Sequence, residues 1–303
     1  MTDFLQTTEG VVTAASIYLL VGLGWNLVYN TCGYLNIAIG QFYILGAVFS
    51  WKIEQSWGIH SPFALVFLVC AGAGFLGFVS ERLLLRRLKG HGLNALIVTI
   101  GINLMLLQLA KGLSPATVIR PDTFVNGGIA PGGVHIAYQE LIVWGTALTV
   151  TSALFVFFGR TDLGRTMRAS TDNRPAALTL GIKVPTLATI AFTASAILAA
   201  LAAFVVAPTQ GSAYNSGDLI AIKAFMAVSI VGLGRNGGAV FGAFIVAAAE
   251  GYVARYWSPD YSDIVVLVGF LVVLYTYAVR STGGRFLPVW ARGLRRRPAT
   301  QGA

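Results

Sequence analysis

The chain has 303 residues, 56% of them hydrophobic and only 11% charged, with a mean hydropathy of +0.73 and a formal net charge of +9. These values exclude a soluble globular domain and describe an integral membrane protein. The basic excess does not read as nucleic-acid binding. Fifteen of the 21 Lys and Arg fall in three short stretches, Arg82 to Lys89, Arg160 to Lys183 and Arg280 to Arg297, without the regular aromatic spacing of a stacking platform.

Clustered this way, the charges follow the positive-inside rule and assign all three stretches to the cytoplasm. The apolar runs, about 15 to 23 residues long, suit helices crossing a hydrocarbon layer of roughly 30 Å. The expected fold is therefore all-α, a polytopic transmembrane bundle of about eight crossings. No polar block is long enough for a soluble domain, so 1–303 reads as one transmembrane domain. Its 35 glycines suit close helix packing in lipid. The N-terminus, MTDFLQTTEG, holds Asp3 and Glu9 but no Lys or Arg, so it lacks a signal-peptide n-region and is expected to face outward. Cys32 and Cys70 sit in or beside apolar runs and read as small core hydrophobes.

The first span is expected from Val11 to Tyr29. Gly33 to Trp51 is apolar, yet Asn36, Gly40 and Gln41 interrupt it near its beginning. Polar groups at that depth are costly unless they face protein or water, which predicts a broken or re-entrant helix. Lys52 to Ser61 reads as an external loop, Pro62 to Ser80 as the third span and Glu81 to Gly92 as a cytoplasmic loop. Leu93 to Ala110 returns outward carrying Asn94, Asn103 and Gln108. Lys111 to Gln139 is the longest external segment, with Pro115, Pro121, Gly127, Gly128, Pro131, Gly132 and Gly133. It reads either as an outer rim that meets a ligand-delivering protein or as a flexible connector.

Glu140 to Phe158 leads inward to the cytoplasmic loop 160–184, where two short helices are expected. Asp162 can cap a turn or two from Leu163; Asn173 can cap a second, opened by Arg174 and Pro175 and closed by Gly181. Ala177, Leu178 and Leu180 would then share one side. A structured, partly apolar loop suits contact with another protein, whereas a plain topogenic loop needs only its charge. Thr186 to Val206 crosses outward to a turn-rich stretch with Pro208, Gly211 and Gly217. Asp218 can cap a short helix reaching Leu233, where Gly234, Arg235, Asn236, Gly237 and Gly238 break it before Ala239 to Tyr252. Two short segments about a Gly-rich break predict a discontinuous helix pair. Ile264 to Val279 is the last crossing, and 280–303 is a basic cytoplasmic tail whose Arg292 to Arg297 suits anionic lipid. LNIAIGQFYILGA from Leu35 can be laid against LIAIKAFMAVSIVG from Leu219, starting from opposite sides, which raises an inverted repeat.

No HExxH, GxSxG or CxxC occurs, and His60, His91 and His135 are all placed in loops, so neither a catalytic site nor a metal site is expected. The phosphate-cradling GxxxxGK is absent as well, so any ATP must be bound by a partner. Lys223 and Glu250 are the charges placed within spans. An intramembrane charge is a functional candidate; alternatively Lys223 snorkels outward and Glu250 lies beside Arg255. Asn36, Gly40, Gln41, Asn103, Gln108 and Lys223 are the candidates for a translocation path, though the amides can equally tie helices together. A path with few fixed charges suits a neutral or apolar solute and not a proton pump.

The pattern Gly164, Arg168, Ala169, Asn173, Ala176, Ala177, Gly181, Ile182 resembles the cytoplasmic coupling loop of permease subunits of branched-chain amino acid ABC importers. That family also includes urea and short-chain amide permeases. The stretch LN.A.GQFY.LGA, from Leu35, is similar to a motif of the first half of these permeases, and the likeness runs from Leu20 to about Pro288. It implies a permease subunit of the bacterial cytoplasmic membrane, with Gly164, Arg165, Arg168, Ala169, Asn173, Ala176, Ala177 and Gly181 in the coupling loop. It also implies partners: separate ABC ATPase subunits that bind the ATP, a second permease subunit and an external substrate-binding protein. Asn173, Arg174 and Pro175 depart from the small or acidic residues frequent there. The rival reading is a stand-alone channel or ion-coupled carrier.

Overall fold

The structure is a computed structural model, and it describes residues 2–88, 92–115, 118–129, 136–172 and 174–281. The described residues form eleven α-helices. In the first half are α1 (Thr2–Cys32), α2 (Ile39–Trp57), α3 (Pro62–Ser80), continued by a π-turn (Glu81–Leu85), and α4 (Gly92–Leu113). Next come α5 (Tyr138–Arg160), α6 (Asp162–Asp172) and α7 (Arg174–Thr179), and then α8 (Val184–Gln210), α9 (Gly217–Val231), α10 (Asn236–Tyr256) and α11 (Pro259–Ser281). Six of them, α1, α3, α4, α5, α8 and α10, are long and apolar enough to span a membrane. With the shorter apolar helices, this is the all-α bundle of about eight crossings that the composition predicts.

Helices α1 and α8 form the centre: 89% of the apolar window of α1 and 67% of that of α8 are buried, against 22% to 33% for α3, α4, α5 and α10. They run antiparallel, since Leu27 near the end of α1 packs with Leu187 and Ala191 near the start of α8. The outer helices show Phe63, Phe67, Leu104, Phe241 and Leu271 on their surfaces, as a face turned to lipid does. Lipid tails give no hydrophobic drive for helix association, so packing rests on close approach at small residues. Gly46 of α2 lies so near α8 that a Cβ there would be 2.1 Å from the Ala200 carbonyl oxygen.

The two halves repeat one another. After α1, six residues (Gly33 to Ala38) precede α2; after α8, six (Gly211 to Ser216) precede α9. Each break opens on a glycine with positive φ, 72° at Gly33 and 70° at Gly211. The neighbours match too: α10 packs on α1 as α3 packs on α8, and α11 on α9 as α4 on α2. Because α1 and α8 are antiparallel, the repeat is inverted. Its register differs from the sequence echo, because pairing Gly33 with Gly211 sets Leu35 against Ala213, not Leu219. The echo matched two Ala- and Ile-rich helix openings by composition, whereas the equivalence is set by single turn residues.

Other boundaries shift for local reasons. Thr161, not Asp162, caps α6: its Oγ1 accepts from the Gly164 N–H at 3.1 Å. The break after α9 is Gly232 to Arg235, with φ of 101° at Gly232 and 86° at Gly234. Gly237 and Gly238 are helical and belong to the first turn of α10. Described parts of the external segment are pinned, which argues against a flexible connector. Ile119 and Ser212 exchange backbone hydrogen bonds at 2.9 Å, and the Phe124 ring stacks on Phe204 at 4.8 Å. A short antiparallel pair, β1 (Gly128–Ile129) and β2 (Ile136–Ala137), completes the cap. Pro131, Gly132, Gly133, His91, His135 and the tail from residue 282, with Arg292 to Arg297, lie outside the described residues.

Replacing Gly46 with Leu is expected to cost about 3 kcal/mol, since the backbone of Ala200 cannot yield as a side chain would. A lower thermal midpoint in detergent than that of Gly10→Leu, where a Cβ would meet nothing within 4 Å, checks this.

Candidate functional site

The two breaks bring the N-termini of α2 and α9 together. A Cβ on Gly40 would sit 2.4 Å from the Gly217 carbonyl oxygen, and one on Gly217 2.3 Å from that of Gly40, so only paired glycines allow this contact. Its depth is read from α4. The Ile37 N–H donates to Thr99 Oγ1 at 3.4 Å, and Asn103 Nδ2 donates to Asp218 Oδ1 at 3.1 Å. Thr99 and Asn103 are the eighth and twelfth residues of the 22-residue α4, so both half-helices begin beside the middle of a spanning helix.

Asp218 does not cap α9; Ser216 holds the cap position, but its Oγ donates back to the Ala213 carbonyl at 2.8 Å and not to the helix. Instead Asp218 Oδ1 accepts from both Gln41 Nε2 and Asn103 Nδ2, each at 3.1 Å. In the first turn of α9 its carboxylate also meets the positive end of the helix dipole. Asp218 is exposed in the single chain. A charge at this depth costs a few kcal/mol against lipid, so the exposed face belongs to a watered path or a protein partner. Beside it opens a cavity of about 390 Å³ with an apolar wall of Trp25, Leu35, Ile37, Ala221, Ile222 and Phe225 and a polar edge of Asn103 and Asp218. Asn36 is fully buried and its Oδ1 accepts from the Ala38 N–H at 3.1 Å. The oxygens of Gln41 and Asn103 and the Nδ2 of Asn36 are buried without a hydrogen-bond partner among the described residues.

Of the predicted path residues, Gly40, Gln41 and Asn103 therefore gather about the start of α9, Asn36 lies in the break before α2, and two do not join them. Gln108 is exposed on the far part of α4. Lys223 faces away from the cavity, because residues 218, 221, 222 and 225 use the opposite side of α9. Its Nζ pairs with Glu250 Oε1 at 2.8 Å and Asp263 Oδ1 at 2.7 Å, and Tyr18 donates to the other Glu250 oxygen. This cluster ties α1, α9, α10 and α11 together. Neither snorkelling of Lys223 nor pairing of Glu250 with Arg255 is found; Arg255 reaches Asp3 instead, at 3.3 Å.

Where α1 and α5 end, α6 packs on both. A Cβ on Gly164 would meet the Phe157 carbonyl oxygen at 2.4 Å, and Arg168 donates to the Phe158 carbonyl. Ser170 Oγ donates to the Thr31 carbonyl at 3.0 Å, in the last turn of α1. The α7 helix ends in a Schellman motif, with Ile182 N bonded to Ala177 O, Gly181 N to Leu178 O, and φ of 78° at Gly181. That fold turns Ala177 inward and leaves Leu178 and Leu180 outward, so the three do not share a side. Arg165, Ala169 and Ala176 are exposed; Asn173 lies outside the described residues. Two asparagines one turn apart on α1 clamp the α9–α10 break: Asn26 Oδ1 accepts from Gly234 N at 2.9 Å and Asn30 Nδ2 donates to Gly234 O at 3.0 Å. Asp218, Asp263 and this pair escape a sequence reading, although polar residues at i and i+4 in an apolar span were the available signal.

An inverted pair of broken helices around a mid-depth cavity, with a helical loop between α5 and α8, defines a transport permease. The chain belongs to the family described as the branched-chain amino acid transport system permease component, whose model matches residues 7–274. It is similar to the high-affinity branched-chain amino acid transport system permease protein BraD of Pseudomonas aeruginosa, 29% identical and covering 92% of this chain and 95% of that protein. The corresponding LivH of Escherichia coli is 28% identical over 92% of this chain and 94% of its own length. The autoinducer 2 import system permease protein LsrC of Yersinia pestis is 28% identical, covering 88% of this chain and 77% of LsrC. Among solved structures, PsaBC from Streptococcus pneumoniae in complex with Fab shares the fold, with a TM-score of 0.51, 9% identity and coverage of 95% of this chain and 94% of that one.

Removing Lys223 leaves two carboxylates facing each other. The Lys223→Met variant is expected to lose about 3 kcal/mol, while adding Glu250→Gln and Asp263→Asn restores most of it. Thermal unfolding of the single and triple variants checks the order.

Proposed function

We propose that this chain is one of two permease subunits of an ABC importer in a bacterial cytoplasmic membrane, with its N-terminus outside and its C-terminus in the cytoplasm. In this reading ATP is bound and hydrolysed on separate ATPase subunits, and an external binding protein delivers the solute to the capped outer side. The solute class is branched-chain, hydrophobic amino acids, as in the names of BraD and LivH. Urea and short amides are the alternative cargo. The observation that carries the reading is the exposed Asp218 carboxylate at mid-depth beside an apolar cavity. It calls for a second subunit or water against that face, and the second permease supplies both.

The route from ATP to the path runs through α6 and α7. The exposed apolar residues Leu178 and Leu180 suit a groove on the ATPase, and Arg165 and Ala169 of α6 are exposed as well. A push on this face moves α6, which is bonded to the last turn of α1 through Ser170. The next residues, Gly33 to Ala38, carry Leu35 and Ile37 into the cavity wall, so a shift at α6 reshapes the cavity directly.

A variant with Leu178→Glu and Leu180→Glu is expected to insert normally and to lose the ATPase subunits that co-purify with the parent. If the parent retains no ATPase, and the purified chain alone moves solute into liposomes, the stand-alone channel or carrier replaces this reading.

A further inference from the structure

We propose that a groove between α3 and α8 binds one anionic phospholipid, with its phosphodiester on Arg82 and Arg86 and an acyl chain along the apolar wall beyond them. The site needs a membrane-spanning chain and does not rest on the importer reading. Helices α3 and α8 lie antiparallel and close. A Cβ on Gly77 would be 2.8 Å from Ala196 Cβ and one on Gly74 3.0 Å from Ile197 Cδ1, while Thr189 donates to Glu81 at the end of α3. Beside this seam runs a groove of about 500 Å³. Arg82, Arg86 and Thr186 line its polar end, and Phe78, Ile190 and Ile197 its apolar wall.

The basic end follows from how α3 stops. Its continuation is a π-turn, closed by the Arg86 N–H donating to the Glu81 carbonyl at 2.8 Å, and this turn carries both arginines to the groove that Phe78 lines. Glu81 is buried with its carboxylate turned to Thr189 of α8. Arg82 and Arg86 are exposed, and neither forms an ion pair among the described residues. Their planar forks suit phosphate oxygens. Thr186, exposed in the first turn of α8, adds a hydroxyl beside the positive end of that helix dipole. The apolar wall separates a lipid from a soluble anion. Phe78 and Ile190 are exposed and Ile197 is half-buried, all within the spanning segments Pro62–Leu85 and Val184–Gln210. An occupant of that wall comes from the bilayer, because free phosphate fills only the polar end and a soluble domain cannot follow the wall into the membrane. A basic pocket between spanning helices is the setting in which acidic headgroups bind.

The test titrates the purified, delipidated full chain with dioleoylphosphatidylglycerol or dioleoylphosphatidylcholine and counts bound lipid by native mass spectrometry. One phosphatidylglycerol is expected to bind at least about tenfold tighter than phosphatidylcholine with the same chains, and excess inorganic phosphate is expected not to displace it. Arg82→Gln with Arg86→Gln should abolish the preference. Arg160→Gln with Arg165→Gln removes the same charge from exposed residues elsewhere and should keep it. Ile190→Trp, which crowds the apolar wall and leaves both arginines, should weaken phosphatidylglycerol binding severalfold. All four arginines are exposed, so both double variants are expected to keep the parent's thermal midpoint in detergent alone. Equal affinity for the two lipids overturns the site, as do displacement by phosphate, a preference that survives in the Arg82 and Arg86 variant, or one that falls equally in the Arg160 and Arg165 variant. If the Arg82 and Arg86 variant keeps the lipid preference but loses ATPase subunits that co-purify with the parent, this face is a protein contact instead.

Discussion

The contact between Gly40 and Gly217 lets two helices start in the middle of the bundle, and much of the architecture answers the problem this creates. A helix that begins at mid-depth leaves its first N–H groups unpaired where no lipid can satisfy them. The structure encloses both breaks with the buried helices α1 and α8 and sets α4 alongside, with Thr99 and Asn103 as hydrogen-bonding partners. Any side chain at either glycine would drive the two backbones apart. The polar cluster of Gln41, Asn103 and Asp218 exists only because that separation is absent.

Charge is divided between two sites with different physics. Lys223, Glu250 and Asp263 neutralise one another on one face of α9 and hold four helices together. Asp218, on the other face, has only amide dipoles and a helix N-terminus for company. The paired set is balanced within the chain, one lysine between two carboxylates. The Asp218 carboxylate is left without a counter-charge among the described residues.

The same economy of parts links the α6–α7 loop to the cavity. α1 bonds to α6 through Ser170, clamps the α9–α10 break through Asn26 and Asn30, and supplies Trp25 to the cavity wall. One helix therefore touches the α6 side, the break between α9 and α10 and the mid-depth cavity.

The sequence by itself determined that the chain is a helical membrane bundle and that two spans are broken near Asn36 and Gly234. Hydropathy and charge placement are local properties, and the cost of polar groups in lipid makes them legible. The family was legible from the loop pattern and the stretch after Leu35, which the family match over residues 7–274 bears out. What only the tertiary structure decided was which polar residues meet. Asp218 read as a helix cap because its partners Gln41 and Asn103 lie 177 and 115 residues away. Lys223 read as a path residue because its counter-charge Asp263 sits on a helix whose rotation no composition reveals. Gln108 shares a helix with Asn103 yet faces outward. Which way a residue turns on an all-apolar helix depends on its neighbours in the bundle, and those are set by packing between segments far apart in the chain.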